Sequence, residues 1–223
     1  MNDRFDPVSM LERLRARAGV ADVFELDEAA AADQQRQAAE RRRARLNAAT
    51  VDPEAAAVAI SSPGRCPRVA GHAGSCAAAQ AVEAFAAGID SPAALRSLLL
   101  LGPTGRGKSF AATWVVAELG AAWIAATECR VAGWDDLRPK AVAARVLVLD
   151  DLGREATDWS ARELADVLEL RHNRGRPTVV TSNLPTKRLL ERYGERLASR
   201  WGDSRMTATV EVLGADLRRR GQP

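Results

Sequence analysis

The chain has 223 residues, 47% hydrophobic and 27% charged, with 32 Lys and Arg against 29 Asp and Glu for a net charge of +3. This suits one domain with a real core plus an appendage, and it excludes a disulfide-stapled miniprotein and a polybasic nucleic-acid coat. Three cysteines form no fully paired set, residues 1–6 carry no apolar secretory stretch, and no apolar run reaches the roughly 20 residues of a membrane helix, so a cytoplasmic protein without membrane contact is expected.

Ser9 and Glu12 have capping-box spacing and Leu11, Leu14 and Ala18 share a face, which predicts a short helix over 10–18 ended by Gly19. From 22 to 50 the Ala-rich and Arg-rich composition favours helix by propensity but has no heptad of large apolar residues. Residues 1–60 therefore read as a helical N-terminal arm, for partner docking or as a linker. Arg36, Arg41, Arg42, Arg43 and Arg45 offer nucleic-acid contact as an alternative. Residues 61–75 are rich in turn formers and predict a Pro/Gly-rich linker, with the compact domain over 76–223. Cys66, His72 and Cys76 are spaced C-x5-H-x3-C but lack an obvious fourth zinc ligand, since Cys129 and His172 would have to come from the core. They are read as free cysteines and an incidental histidine.

Within 76–223 the predicted elements are a helix at 76–87, a strand at 98–101, a helix at 108–119 and strands at 122–126 and 145–149. A helix at 160–174, a strand at 177–181, a helix at 186–200 and a strand at 207–213 follow. Apolar strings alternating with amphipathic stretches predict an α/β fold, a mainly parallel sheet with helices on both faces.

Gly102-Pro103-Thr104-Gly105-Arg106-Gly107-Lys108-Ser109 matches G-x-x-x-x-G-K-[ST], directly after Leu98–Leu101 and before a helical stretch. A phosphate loop needs that context, a strand to deliver it and a helix N-terminus to complete it. The glycines permit the path that turns backbone N–H groups toward phosphates, Lys108 is predicted to reach the β and γ phosphates of ATP, and the Ser109 hydroxyl to ligate Mg2+. The string Val146–Leu149 ends in Asp150 and Asp151. Asp150 is predicted to hold Mg2+ beside Ser109, and Asp151 to orient or deprotonate the attacking water. Asn183, at the end of the strand Pro177–Thr181, is a candidate to touch both the γ-phosphate and that water, with Thr181 and Ser182 as weaker candidates. The tryptophans at 123, 134, 159 and 201 read as packing residues.

The ordered series Gly102–Ser109, Leu149–Gly153, Arg171–Thr178, Thr181–Leu184 and Gly194–Trp201 resembles the DnaC/DnaI replicative helicase loaders and the similar IstB transposition ATPases, within the AAA+ class of P-loop NTPases. The resemblance covers 76–223. It implies a five-stranded sheet with the Asn183 strand between the phosphate-loop strand and the Asp150 strand. It also implies an arginine finger at Arg200, with Arg196 as the alternative, given to the ATP of a neighbouring subunit. A final strand with a short basic tail is implied in place of a helical lid, either with one of Arg218, Arg219 or Arg220 standing in for a lid arginine or as a disordered basic tail. Two departures stand out: the crossover between the Trp123 and Val146 strands is shorter than in loaders, and the arm has no family signature. The implied function is an ATPase that self-associates, docks a replicative helicase through the arm and helps place it on single-stranded DNA, with Arg138, Lys140 and Arg145 as surface contacts. The alternatives are an IstB-like transposition helper acting with a transposase and a nucleotide-dependent interaction module with negligible hydrolysis. Asp151, where glutamate is commoner, leaves room for the latter.

Overall fold

A computed structural model of the chain describes residues 20–47, 49 and 51–219, with side chains from residue 30 through 218 of these. The helix expected over 10–18 and Arg220 lie outside the described residues. The chain falls into two compact units, Met1–Arg41 and Arg42–Pro223. In the first, helix α1 (Val20–Asn47) runs through to Arg41 with residues 30–41 exposed except the half-buried Ala39, and Asp33 accepts a hydrogen bond from Gln37 at 2.8 Å. Residues 30–41 are Ala and polar or charged side chains all round the helix, which leaves this stretch no stripe of large apolar residues to bury.

The second unit contains the last turns of α1 and then α2 (Pro53–Ile60), α3 (Ala73–Gly88), β1 (Ser97–Leu101), α4 (Lys108–Leu119) and β2 (Ala122–Ala125). It continues with α5 (Val131–Ala143), β3 (Leu147–Leu152), α6 (Asp158–Asn173), β4 (Thr178–Ser182), α7 (Thr186–Tyr193), α8 (Glu195–Trp201) and β5 (Thr207–Glu211). All strand pairs are parallel, in the order β2-β3-β4-β1-β5, so the Asn183 strand lies between the phosphate-loop strand and the Asp150 strand. No helix among the described residues is long and apolar enough to cross a membrane.

Strand alternation sorts the core onto two faces. Leu99, Leu101, Leu147, Leu149 and Val180 pack with Trp134, Leu164, Leu168, Leu189, Leu197 and Trp201 of α5 to α8. Leu98, Leu100, Val146, Val148 and Val179 pack on the other face with Trp114, Val115, Val82, Phe85, Ala59, Leu46 and Cys66. Right-handed crossovers explain the division: the β2-to-β3, β3-to-β4 and β4-to-β5 connections advance across the sheet in one direction, and only β1-to-β2 runs back. A single crossover helix, α4, therefore serves the second face, and α2, α3 and the end of α1 cover the rest. For this reason the compact unit begins at Arg42, ahead of the expected start at 76.

Arg42 and Arg45 anchor that cover. The Arg42 guanidinium is buried, pairs with Glu118 and donates to the carbonyls of Ala59 at 2.7 Å and Ser62 at 3.0 Å. Arg45 Nη1 donates to the Ala117 and Glu118 carbonyls at 2.8 Å, satisfying acceptors that the end of α4 leaves open. Both arginines thus serve the fold, Arg42 from within it and Arg45 from the exposed surface.

Local differences from the predicted elements have identifiable causes. The helix predicted over 186–200 is broken at Gly194 (φ 85°, ψ 166°) into α7 and α8. The short crossover after β2 holds a 3-10 turn (Ala126–Glu128) and α5, whose first turn is kinked at Ala132 and Gly133. The strand expected over 145–149 runs instead to Leu152, through both aspartates. Trp134 and Trp159 pack edge to face at 6.5 Å, and Trp134 Nε1 donates to Glu163 at 2.8 Å.

Candidate nucleotide-binding site

Parallel strands deliver their following loops to one end of the sheet, and this is where ligands bind in open α/β folds. The loop after β1 meets the ends of β3 and β4 there. Gly102 (φ 141°) leaves β1 with its N–H donating to Ser182 O at 3.2 Å, and Gly105 (φ 78°) and Gly107 (φ 91°) turn the loop into α4. Positive φ at these positions is open to glycine at little cost. Gly107 caps α4 with no side-chain acceptor, so the first-turn N–H groups of α4 are free to face an anion.

Lys108 is 4% exposed and its Nζ donates to Gly102 O at 2.7 Å, Pro103 O at 2.8 Å and Asn183 Oδ1 at 2.9 Å. Burial lowers its pKa, against the opposing fields of Asp151 and Asp150, so an anionic ligand at Nζ compensates a charge that neutral carbonyls only partly satisfy. Arg106 lines the same cleft, and its Nε and Nη1 are buried without a hydrogen-bond partner among the described residues.

Asp150 and Asp151 reach the cleft together because of a bulge. The β3–β4 register runs Leu149↔Val180 and then Leu152↔Ser182, so two residues of β3 oppose Thr181 alone. Asp151 takes up the extra residue at φ 55°, a conformation in which few non-glycine residues are found. In a regular strand neighbouring side chains point to opposite faces. Here both carboxylates line the cleft. Thr181 pins the bulge: its Oγ1 donates to Asp150 Oδ1 at 2.6 Å and accepts from the Asp151 N–H at 2.9 Å. Asn183 Nδ2 donates to Asp151 Oδ1 at 3.2 Å, and Arg154 lies 3.4 Å from Asp151 Oδ2.

Lys108, Ser109, Asp150, Asp151 and Asn183, singled out in sequence, thus meet around one cleft of about 630 Å³, which Thr104, Gly105, Arg106 and Gly107 also line. The cleft has walls that sequence reasoning missed. Asp52, Glu54, Ala55, Val69 and Ser75 come from the stretch read as arm and linker, and Trp123, Arg154, Leu217 and Arg218 from elsewhere. Arg218 is the one of the three tail arginines described at this cleft. It arrives because the Leu217 N–H donates to Gly105 O at 2.8 Å and the Asp216 carboxylate lies on the open face of Gly105. A side chain at Gly105 would meet that carboxylate at 1.8 Å.

The residues fit the groups implied. Orphaned buried guanidinium nitrogens on Arg106, a buried Lys108 and open helix N–H groups suit a polyphosphate. The Asp150 carboxylate and the Ser109 hydroxyl line the same cleft, a hard-oxygen donor pair suited to Mg2+. Burial raises the Asp150 pKa above the usual aspartate value, with the Thr181 and Ser109 hydrogen bonds opposing. A raised carboxyl contributes stability in full below its unfolded pKa and loses it as pH rises through the folded value. Asp150→Asn is therefore expected to leave the melting temperature of metal-free protein at pH 7 unchanged or higher. The wild type is expected to gain about tenfold or more in ATP affinity from Mg2+, and the same variant to lose that gain. Titrations with and without Mg2+ test it, and a retained metal dependence would remove Asp150 from the metal site.

Other predicted residues stand apart. Arg200 lies at the opposite end of the sheet, donating to Asn173 Oδ1 at 3.1 Å and Arg196 O at 2.9 Å, with Glu169 at 3.8 Å. Arg196 is exposed on the same helix. Neither lines the cleft of its own chain. Arg138 pairs with Glu163 at 3.4 Å, Arg145 pairs with Asp90, and Lys140 is exposed. His72 spends both ring nitrogens on the fold, Nδ1 accepting from the Ser75 N–H at 2.9 Å as the cap of α3 and Nε2 meeting Ala215 O at 2.7 Å. Cys66 is buried and its thiol is pushed up to about 12, chiefly by burial.

The chain matches no protein-family model and no curated protein. Its fold is similar to several solved structures. A structure of the DnaC helicase loader shares 21% identity at a TM-score of 0.52, covering 63% of this chain and 91% of that one. A structure of DnaI shares 20% at 0.53, covering 67% and 87%. Domain III of the replication initiation protein DnaA from Thermotoga maritima shares 17% at 0.52, covering 73% and 68%. A DNA replication initiation factor is matched over 46% of its length. At these identities the likeness shows the fold, an α/β P-loop architecture with a five-stranded parallel sheet.

Proposed function

We propose that this chain binds ATP with Mg2+ and hydrolyses it to ADP and phosphate, as an assembly factor of the helicase-loader type. The observation that carries the reading is the meeting of Lys108, Asp150, Asp151 and Asn183 at the ends of three adjacent strands around one phosphate-loop cleft. Lys108 and the α4 N–H groups hold the β and γ phosphates, and Ser109 and Asp150 hold the metal, which when bound neutralises phosphate charge. Asp151 accepts the proton of the attacking water as the water oxygen bonds to the γ-phosphorus and the bridging oxygen leaves with ADP. Asn183, already hydrogen-bonded to both Lys108 and Asp151, orients that water against the phosphate.

Arg200, directed away from its own cleft, suits donation to a neighbouring subunit, which makes turnover depend on self-association. The part of the arm ahead of the compact unit, residues 1–41, docks a replicative helicase, and single-stranded DNA is the substrate on which it is placed, in the cytoplasm. Arg200→Ala is expected to lower turnover of the assembled protein about 100-fold while ATP affinity stays within about threefold of wild type. Turnover that survives the change would remove Arg200 as the finger and leave Arg196 to be tested. Partner capture in ATP, with Lys108→Ala beside the wild type, tests the biological role. Recovery of a hexameric helicase through residues 1–41 supports the loader reading. Recovery of a transposase would make the protein an IstB-like helper, and background turnover in every assembly state would make it a nucleotide-dependent interaction module.

A further inference from the structure

We propose that Glu155 is a positioning residue for Asp151, and that it ties the loop carrying Asp151 to the junction of α7 and α8. The inference rests on the role given to Asp151 above. The side chain of Glu155 has no solvent exposure. Its Oε1 accepts the Gly153 N–H at 2.7 Å and the Tyr193 hydroxyl, and its Oε2 accepts from Arg192 at 3.0 Å. A buried carboxylate without such donors is costly, and a buried ion pair is often no more stabilising than apolar side chains of the same volume. What the pair supplies is a single fixed arrangement, and the elements it fixes are specific.

At one end is the bulge. The Arg154 N–H donates to Asp151 O at 3.1 Å, closing a turn that holds Asp151 at φ 55°. Gly153, at φ 102°, lies against Leu184, whose side chain would meet a Cβ there at 2.5 Å. The backbone from Asp151 to Glu155 therefore has one path, secured by Thr181 at its start and by Glu155 at its end. At the other end, Arg192 and Tyr193 are the last two residues of α7, Gly194 is the break, and α8 carries Arg196 and Arg200. Burial and the Glu155 carboxylate both push the Tyr193 phenol up, keeping it a donor. Glu155 thus joins the Gly153 amide, two residues beyond Asp151, to the junction that precedes α8.

The test is a kinetic cycle on the full chain under assembling conditions, with Glu155→Gln, Tyr193→Phe, Asp151→Asn and the Asp151→Asn/Glu155→Gln double variant. Glu155→Gln is expected to leave KM and the affinity for a fluorescent ATP analogue within about twofold and to lower kcat about tenfold. In the Asp151→Asn background it should cost nothing further, within about twofold, because both changes then disable one unit. A wild-type kcat, or losses that multiply in the double variant, would overturn the proposal. Should Glu155→Gln fail to fold, Tyr193→Phe removes one donor, leaves the Arg192 pair and is read in the same cycle. A wild type that binds ATP but turns nothing over is a failure of the proposed hydrolysis. The positioning role is then decided by hydrogen exchange at the Gly153 and Arg154 amides. It requires exchange there about tenfold faster in Glu155→Gln with β1 unchanged, and equal rates would overturn it.

Discussion

Lys108→Ala is expected to weaken ATP binding about 100-fold, or about 2.7 kcal/mol, as measured by equilibrium titration in Mg2+. The size follows from what the ammonium does in the fold. It sits at 4% exposure on two loop carbonyls and the Asn183 amide oxygen, within 2.7 to 2.9 Å of each. All three are neutral acceptors, and burial works against the charge. Phosphate oxygens replace them with anionic acceptors at a site already desolvated, so binding realises an interaction that the ligand-free chain only partly makes. Alanine removes it entirely and also frees the Gly102 and Pro103 carbonyls, loosening the loop. An affinity within about threefold of wild type would show that Arg106 and the α4 N–H groups carry the phosphates without the lysine.

Arg171→Ala is expected to destabilise the second unit by about 4 kcal/mol, a fall in melting temperature of about 8 to 16 °C. Arg171 has no exposure and no carboxylate partner among the described residues. Its guanidinium instead donates to Ala141 O at 2.7 Å, Ala144 O at 2.8 Å, Pro177 O at 2.7 Å and Thr178 Oγ1 at 2.9 Å. One planar fork thereby joins the end of α5, the end of α6 and the start of β4. Truncation leaves buried acceptors unpaired and a cavity beneath them. Burial and the neighbouring Arg176 lower its pKa to about 10, so the group stays charged at neutral pH. The loss should accordingly be constant between about pH 6 and 9, and Arg171→Lys should recover only part of it, because one ammonium does not span the same acceptors. A melting temperature within about 3 °C of wild type would refute this account. The sequence marked Arg171 only as part of a resemblance, with nothing to say that it would be a buried structural cation.

The strands and the phosphate loop were legible because their signals are local. Leu98–Leu101 and Val146–Leu149 are apolar on both faces, as strands covered by helices on both sides must be. G-x-x-x-x-G-K-S constrains backbone conformation residue by residue. Boundaries failed where a distant contact decides them. The break at Gly194 separates two stretches that are each helical by propensity, and only packing against α6 and β5 chooses the break over a continuous helix. Residues 42–75 looked like arm and linker because they are rich in Ala, Arg and turn formers and poor in large apolar side chains. They belong to the second unit because one face of the sheet would otherwise have a single crossover helix to cover it.

The sequence by itself thus determined the parallel α/β class, the glycine-rich loop between β1 and α4 and the residue types gathered around it. Hydrophobic periodicity and glycine placement are properties of short segments. Only the tertiary structure decided that Asp150 and Asp151 face the same cleft. A strand of regular pleat would send them to opposite sides, and the bulge that prevents this is stabilised by Thr181 on β4, thirty positions away. It likewise decided that Glu155 and Tyr193 are buried together beneath Arg192, and that Asp52, Val69 and Arg218 wall the cleft. Such features depend on which strands and helices become neighbours, and that information resides in the packing of the whole sheet and its two faces.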